Sequence, residues 1–489
     1  MRGQALDGGP LDPGGVPPLP GIAGLRDRIV SGEISALEVT EASLEAASQV
    51  GAEVHAFTFV DVDGARREAA LRDREMASGK SPGVLCGVPL AVKDLMGIRG
   101  LPVTGGSRAL DGEGDGAGPG GSRGKAAGCR DALLVQRLRR AGAVILGKTN
   151  LNEFAYGVTG ENTHFGNSGN PWDPTRMSGG SSGGSAVAVA TGIVPGAVGT
   201  DTRGSIRIPA ACCGITGFKP TRGRIPLKGV LPLSRTLDHA GPLAHTVPDA
   251  ALLYHVMAGG REPDRVTREA LATPLKGLRF AVPSFFRAGL DAEVARALDE
   301  ALEVLEGAGL ELVEIQVPEL EGSLAASAVI AGAEALAVHD ERMKERPGAF
   351  DPAVLARLEK GYRLTGLELA RAQEHRERLS LAYRRAFREV DLMVAPSLPG
   401  LPPPMGDHQV QVGGGREEWV VDAFCRLMAP QNMTGTPALS VPCGFTPEGL
   451  PLGFQIWGPR GEDGRVLAAG EAYQVRTDWH LRRPPDLQR

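Results

Sequence analysis

Two glycine- and serine-rich segments hold the residue types that nucleophilic catalysis needs. The first, Ser178-Gly-Gly-Ser-Ser-Gly-Gly-Ser185, leads directly into an apolar, helix-like run over 186–191. The second is Gly199-Thr-Asp-Thr-Arg-Gly-Ser-Ile-Arg-Ile-Pro209. A glycine-rich backbone that opens a helix can direct its N–H groups at an anion and can adopt the unusual dihedral angles of an active-site turn. A flexible loop is the alternative for the first segment, but the ordered apolar run after it favours a site.

A serine attacks a carbonyl carbon only when a neighbouring base takes its proton, and the sequence offers a lysine for that role. The nine histidines have no placement that indicates a Ser-His-Asp triad, and the neighbours Asp238 and His239 are typical of structural hydrogen bonding. Lys93 ends the apolar run 88–92, where burial would lower its pKa enough to leave it neutral. A solvated surface lysine is the alternative. Asp201 either orients the second segment through backbone hydrogen bonds or binds a metal, for which no His or Cys cluster provides support.

In this order, the two segments resemble the amidase signature family. The resemblance extends over about residues 22–483 and includes four further segments: Gly87-Val-Pro-Leu-Ala-Val-Lys-Asp94, Gly147-Lys-Thr-Asn-Leu-Asn-Glu-Phe154, Leu237-Asp-His-Ala-Gly-Pro242 and Asn432-Met-Thr-Gly-Thr-Pro-Ala-Leu439. Several motifs in the right order make an accidental match improbable.

The resemblance implies a Ser–cisSer–Lys triad. Ser205 matches the nucleophile, Ser181 matches the serine that follows a cis peptide bond, and Lys93 matches the terminal base. Ser182 would help to hold this network.

The resemblance also implies an oxyanion hole formed by the backbone N–H groups of residues 202–205, which include Thr202, Arg203 and Gly204. Ala155 matches a position that contacts the substrate. The common family pattern is Asp-Thr-Gly-Gly-Ser, and Arg203 replaces its first glycine. A positive φ there would strain an arginine by about 1–3 kcal/mol. We favour an unchanged backbone with the side chain in the pocket or at its rim, where it would suit a substrate carboxylate or pair with a nearby acid.

The elements that must position these residues are short apolar runs alternating with helical patterns. This alternation predicts a single large α/β domain over 21–489, with a central twisted, mixed β-sheet covered by helices on both faces. Strands are predicted at 88–92, 143–146, 278–282, 312–315 and 392–395, and helices at 21–50, 131–140 (capped by Asp131) and 291–306. Residues 1–20 are predicted to be a flexible tail, 111–130 a glycine-rich surface insertion, and 322–390 a helical region that shapes specificity.

Composition sets expectations about partners. A formal charge of −5 and a pI near 6.1 give no electrostatic reason to expect nucleic acid. No uninterrupted apolar stretch reaches the roughly eighteen residues of a membrane span. The six cysteines lack CxxC spacing, which favours reduced thiols in a cytoplasmic protein. No motif implies a cofactor or a metal. The predicted partner is therefore a small-molecule amide, and a homodimer is left open.

The main predicted function is a stand-alone amidase that hydrolyses a carboxamide to an acid and ammonia or an amine through a serine acyl-enzyme. One alternative is the A subunit of a tRNA-dependent glutaminyl or asparaginyl amidotransferase, which releases ammonia from glutamine for a partner complex. Residues 340–390 resemble stand-alone amidases more closely. A second alternative is a catalytically silent homologue that only binds, and Arg203 alone supports it.

Overall fold

The computed structural model of the chain describes residues 21–80, 83–111 and 130–485. The predicted flexible tail over 1–20 and nearly all of the predicted insertion over 111–130 lie outside these described residues.

Short runs of branched and small apolar residues form an eleven-stranded sheet in the described part of the chain. Its strands lie in the order β1 (Phe57–Val60), β3 (Val144–Thr149), β2 (Pro89–Lys93), β4 (Gly196–Asp201), β6 (His239–Ala244), β5 (Thr216–Lys219), β12 (Ala438–Phe445), β13 (Pro451–Trp457), β9 (Leu392–Pro396), β7 (Arg279–Ala281) and β8 (Glu311–Leu312). Strands β3, β2 and β4 run parallel, as do β9, β7 and β8, and the other neighbours pair antiparallel. This mixed sheet confirms the predicted α/β fold class.

Helices surround the sheet. Those in the described residues are α1 (Ile22–Val30), α2 (Ala36–Glu53), α3 (Val62–Ala77), α4 (Leu133–Arg140), α5 (Gly183–Ala190), α6 (Arg207–Cys213), α7 (Val247–Ala258), α8 (Pro263–Leu271), α9 (Ala292–Gly307), α10 (Ser323–Glu345), α11 (Pro352–Glu359), α12 (Gly366–Ala386), α13 (Val420–Thr434) and α14 (Asp463–Gln474). A separate hairpin pairs β10 (Gln409–Val412) with β11 (Arg416–Trp419). Buried aliphatic side chains of the sheet and of helices α1, α5, α7, α9 and α14 form the largest core cluster.

The helix predicted over 21–50 is two helices, α1 and α2, because α1 ends at Val30 and a new cap follows at Ser35. Ser35 begins α2 with a capping box, in which its hydroxyl accepts the Glu38 N–H while Glu38 accepts the Ser35 N–H. The predicted cap of α4 is wrong, because that helix begins after Ala132 and Asp131 makes no capping bond. The Asp131 carboxylate instead accepts the backbone N–H of Arg99 at 2.7 Å and pairs with Arg139, so tertiary contacts outweigh its local preference.

The strand predicted at 312–315 is shorter than expected. Only Glu311–Leu312 pairs with β7, and both residues are exposed at the edge of the sheet. The predicted helical region over 322–390 contains α10, α11 and α12. Among the described helices, the segment Pro318–Glu345 is long and apolar enough to cross a membrane. Because α10 packs against α12 and α13, however, that apolar surface is in contact with protein.

The site lies where parallel strands β2 and β4 end. Val92 pairs with Val198, so the carboxyl ends of the two strands are side by side. Lys93 is the last residue of β2, and Thr200 and Asp201 close β4. In open α/β sheets this edge is where ligands bind.

Candidate active site

The Lys93 side chain is buried among hydroxyl groups. Its Nζ lies 2.7 Å from Ser181 Oγ, 2.9 Å from Ser182 Oγ and 3.0 Å from Thr200 Oγ1. All four side chains are buried, and no carboxylate forms an ion pair with Lys93 within the described residues. In direct contact Lys93 therefore has neutral partners only.

Burial lowers the pKa of Lys93 from 10.5 to about 7, although the charges of Asp238 and Asp201 oppose the change. A buried ammonium loses its hydration, which penalises the protonated form. Near pH 7 about half of the molecules therefore carry a neutral amine at this position, which can accept a proton.

The Ser182 hydroxyl fixes the direction of these hydrogen bonds. It donates its one proton to the Thr200 carbonyl at 3.1 Å and accepts the Thr200 N–H at 3.3 Å. Because a hydroxyl has a single proton, Ser182 can only accept from Lys93. A neutral amine has two N–H groups and one lone pair, so when Thr200 accepts the second N–H, the lone pair is left for the Ser181 hydroxyl.

Ser181 follows the cis peptide bond Gly180–Ser181, as the family resemblance implies. It stands two residues before α5, whose eight residues are all buried. A side chain at Gly180 would collide with the Asn152 carboxamide, so this position requires glycine.

The loop that bears Ser205 is organised by Asp201. The Asp201 carboxylate accepts the Gly204 N–H at 2.7 Å and the Ile206 N–H at 3.2 Å, and it is bound by Arg207 at 3.0 Å and Asn432 at 2.9 Å. Burial acts to raise the pKa of Asp201, but the charge and hydrogen bonds of Arg207 outweigh it and hold this pKa well below its ordinary value. Asp201 thus orients the loop, and no group of three or more potential metal ligands occurs in the described residues.

The loop geometry reduces the number of backbone N–H groups that are available to the predicted oxyanion hole. The Gly204 N–H is engaged by Asp201, whereas the backbone N–H groups of Thr202, Arg203 and Ser205 have no acceptor within the described part of the chain. The positive φ of this loop, 118°, belongs to Gly204 and not to Arg203. The replacement of the usual glycine by Arg203 therefore causes no backbone strain.

Ser205 lines a pocket together with its own loop, residues 155–158, Leu233, and side chains of α11 and α13. Six of the lining residues are Ser205, Arg203, Ala155, Tyr156, Arg357 and Cys425. Ala155 lies where a substrate contact is predicted, and both Phe154 and Ala155 have positive φ, 53° and 60°. Non-glycine residues in this conformation cost about 1–3 kcal/mol and cluster at ligand sites.

The wall formed by Ala155 and Tyr156 is tied to helix α11. Glu153 accepts the Asp351 N–H at 2.9 Å, immediately before α11, and it also binds Ser107 and His164. Arg357 of α11 donates to the Tyr156 carbonyl and lies 5.3 Å from the centre of the Tyr156 ring. These contacts fix Arg357 against the pocket.

The structure brings most of the predicted site residues together. Lys93, Ser181 and Ser182 are in direct contact, and the Ser182 N–H donates to the Ser205 carbonyl at 3.2 Å. The Ser205 hydroxyl forms no hydrogen bond within the described residues. The predicted proton relay therefore has its hydrogen bond between Lys93 and Ser181 but none between Ser181 and Ser205.

Sequence reasoning missed Thr200, Arg357 and Cys425. Thr200 lies inside the second segment, and its place at the end of a strand beside Lys93 could have indicated it. Arg357 and Cys425 lie far along the chain from Ser205, outside every segment that carries the resemblance, and only tertiary packing brings them to the pocket.

Comparisons with known proteins show the family of this chain. The family model described as Amidase matches residues 38–467. The A subunit of the glutamyl-tRNA(Gln) amidotransferase of Roseiflexus castenholzii (strain DSM 13941 / HLO8) is 38% identical over 95% of this chain and 97% of its own length. A crystal structure of an amidase is 38% identical with a TM-score of 0.83 and covers 93% of this chain and 99% of its own. The structure of the A subunit of the glutamyl-tRNA(Gln) amidotransferase of Thermotoga maritima is 29% identical with a TM-score of 0.71, over 90% and 92%.

The curated relatives overturn two predictions. Eight relatives that are 36–38% identical over nearly the whole chain are all named as the A subunit of a glutamyl-tRNA(Gln) amidotransferase. The prediction of a stand-alone amidase is therefore wrong, and so is the exclusion of nucleic acid from its partners. The physical reason is that amide cleavage needs the same catalytic side chains whether the ammonia is released into solution or passed to another polypeptide. The charge of one polypeptide in a complex also does not reveal what its partners bind.

Proposed function

We propose, from the premise that this chain belongs to the Amidase family, that it is the amide-cleaving subunit of a tRNA-dependent amidotransferase. In this role it releases ammonia from glutamine, and companion subunits use that ammonia on glutamyl-tRNA(Gln). The observation that carries the proposal is the name shared by relatives that match 93–96% of this chain. Amide cleavage itself follows from the family.

Ser205 is the nucleophile in the proposed reaction. Its hydroxyl oxygen forms a bond to the amide carbon while its proton passes to Ser181 Oγ, and the Ser181 proton passes to the neutral Lys93 amine. Ser181 thus gains one proton and loses one. The 2.7 Å contact between Lys93 and Ser181 supports this route, and the remaining step requires the Ser205 hydroxyl to turn toward Ser181 when substrate binds.

The tetrahedral intermediate carries its negative charge on the former carbonyl oxygen. The free N–H groups of Thr202, Arg203 and Ser205 are the donors available to it. One such donor is typically worth about 100- to 1000-fold in rate. When the intermediate collapses, the C–N bond breaks, and the Lys93 proton returns through Ser181 to the leaving nitrogen, which departs as ammonia.

Water then cleaves the acyl-enzyme by the same path in reverse. Lys93, through Ser181, takes a proton from the attacking water, and Ser205 leaves with a proton as the carboxylic acid forms. Ser182 and Thr200 accept the Lys93 N–H groups throughout, which keeps the amine lone pair directed at Ser181.

The protein is proposed to act in the cytoplasm. The five cysteines of the described residues, Cys86, Cys212, Cys213, Cys425 and Cys443, are free and buried. Free thiols suit a reducing compartment, where tRNA-dependent chemistry also takes place.

The test is to reconstitute this chain with companion amidotransferase subunits encoded in the same genome and to measure conversion of glutamyl-tRNA(Gln). We expect the wild-type complex to use either glutamine or ammonium chloride as nitrogen donor. The Ser205→Ala complex should use ammonium chloride alone, because only glutamine cleavage needs the serine. A complex that is inactive with glutamine, while the isolated chain hydrolyses simple amides, contradicts the proposal.

A further inference from the structure

The pocket beside Ser205 contains two guanidinium groups without acidic partners. Arg203 forms no hydrogen bond or ion pair within the described residues, although it is only partly exposed. Arg357 donates to the Tyr156 carbonyl, and its other N–H groups have no acceptor in the described part of the chain. Among other partly exposed arginines, Arg26 pairs with Asp264 at 2.8 Å and Arg139 with Glu68 at 2.6 Å, whereas Arg376 donates to two backbone carbonyls.

The two guanidinium groups are close enough to repel each other. Burial lowers the pKa of Arg357, and the charge of Arg203 lowers it further, while Tyr156 and Asp351 oppose these effects. No acidic residue of the described chain lines the pocket. The Asp351 carboxylate accepts the N–H groups of Ala353 and Val354 at the start of α11.

Two further acids lie outside the lining. The Asp238 carboxylate accepts the Thr202 hydroxyl at 2.6 Å and the Leu233 N–H at 2.9 Å, and both donors line the pocket. Asp422 is exposed to solvent on α13, and its charge acts on Cys425. The lining itself therefore has two positive charges and no negative charge next to the nucleophile. Guanidinium groups bind carboxylates strongly because their planar N–H forks match the two oxygens.

We infer that the pocket holds the carboxylate of an amide substrate between Arg203 and Arg357, and that it recognises this carboxylate and not an ammonium group. The inference deepens the proposed function, on which the choice of a glutamine-like substrate rests. The specificity-determining residue is Arg203, which stands where the family pattern has glycine. An α-ammonium group on the substrate would find no carboxylate in the lining, so its removal should not weaken binding.

The test compares three ligands on the Ser205→Ala protein, which can bind amides without cleaving them. L-Glutamine has a carboxylate and an ammonium, glutaramate has the same carboxylate without the ammonium, and butyramide has neither charge. Affinities are measured by calorimetry, with ligand-observed NMR for the weak neutral amide. The variant Arg203→Ala is added to Ser205→Ala, and Arg363→Ala is the matched control because Arg363 is exposed and does not line the pocket.

We expect glutaramate to bind within about threefold of L-glutamine or more tightly, and butyramide to bind at least about tenfold more weakly. Arg203→Ala should weaken both carboxylates by about tenfold or more, the size of a lost charge-assisted hydrogen bond, and leave butyramide unchanged. Arg363→Ala should change none of the three affinities. The unchanged butyramide affinity also reports that the variant pocket is folded.

Two results overturn the inference. One is a preference for L-glutamine over glutaramate of more than threefold, which would mean that the ammonium is recognised. The other is an Arg203→Ala effect that is absent, or equal for glutaramate and butyramide. Failure of the proposed function is distinguishable, because the wild-type complex would then not use glutamine although the binding pattern holds.

Discussion

The buried amine at position 93 is the group whose removal tests the chemistry most directly. We consider Lys93→Met, which keeps an unbranched side chain of similar length and removes the proton acceptor. At pH 7 a lysine with its ordinary pKa of 10.5 would be neutral in roughly one molecule in three thousand, whereas Lys93, with a pKa of about 7, is neutral in about half. Burial therefore raises the concentration of usable base by about three orders of magnitude.

The expected loss in rate follows from this role. Removal of a general base typically costs about 100- to 10,000-fold, and removal of a residue that acts as part of a triad costs more. We expect acylation to fall by at least about 1000-fold at pH 7. In the wild type the acylation rate should rise with pH through about 7 and then level off, because only the neutral amine accepts the proton. In Lys93→Met this inflection should vanish, and the residual rate should rise steadily with hydroxide.

The stability of Lys93→Met should rise although its rate falls. The Lys93 pKa is lowered from 10.5 to about 7 in the folded state, a difference that corresponds to about 5 kcal/mol. Below about pH 7 the buried charge therefore lowers the free energy of unfolding by this full amount. This cost fades as pH rises from about 7 toward 10.5, since the unfolded chain then binds more protons than the folded one. Loss of three hydrogen bonds, at about 1 kcal/mol each, offsets part of the gain. We expect Lys93→Met to be roughly 2 kcal/mol more stable than the wild type at pH 6.

Lys219 provides a matched control within the same protein. It is equally buried, and burial together with the charge of Arg207 lowers its pKa to about 7, but its Nζ contacts the carbonyls of Thr436 and Pro220 and no serine. The assay is rapid-quench acylation of each variant between pH 5 and 9, with thermal unfolding at the same pH values. Lys219→Met should keep the inflection near pH 7. A Lys93→Met enzyme that also kept this inflection, with a rate near that of the wild type, would refute the assignment of Lys93 as the base.

Two further predictions concern the nucleophile and the core. A fluorophosphonate probe should label the wild-type protein at one site, and Ser205→Ala should abolish the label; an unlabelled wild type, judged by mass spectrometry, would favour a catalytically silent homologue. His339 is buried against Phe154 and Phe350 with both ring nitrogens unpartnered, and burial lowers its pKa to about 3. His339→Leu should therefore increase the free energy of unfolding by about 1–3 kcal/mol at pH 7 and raise the unfolding midpoint accordingly. This advantage should widen as pH falls below about 6.5, because the unfolded wild type then binds a proton that its folded state excludes. Equal acid sensitivity of variant and wild type in circular dichroism melts would contradict this.

The sequence predicted the residues that surround Lys93 better than it predicted the lining of the pocket. Lys93, Ser181 and Ser182 were predictable because each lies next to a strand end or helix start whose local pattern is clear, and the parallel pairing of β2 and β4 then brings them together. Arg357 was not predictable, because its position in the pocket depends on the packing of α11 against the Tyr156 segment.

The same limit explains the errors. Asp131 has the residue type of a helix cap, but its carboxylate binds the backbone N–H of Arg99 and the side chain of Arg139, near the far end of α4, in place of the first turn of that helix. The choice between a stand-alone amidase and a component of a larger complex failed for a related reason. Both need the same triad, and the difference between them lies on surfaces that contact other chains, which no local pattern encodes.

The low pKa of Lys93 persists although two carboxylates act against it. The charge of Asp238 and, to a smaller extent, the charge of Asp201 act to raise the pKa of Lys93, and desolvation outweighs both. Arg207, which is fully buried, binds Asp201 through two nitrogens at 3.0 Å and 3.2 Å and supplies the compensating charge. The ion pair thus fixes the loop that bears Ser205 and compensates the charge of one of the two acids that act on Lys93, whereas Asp238 accepts only a hydroxyl and two backbone N–H groups.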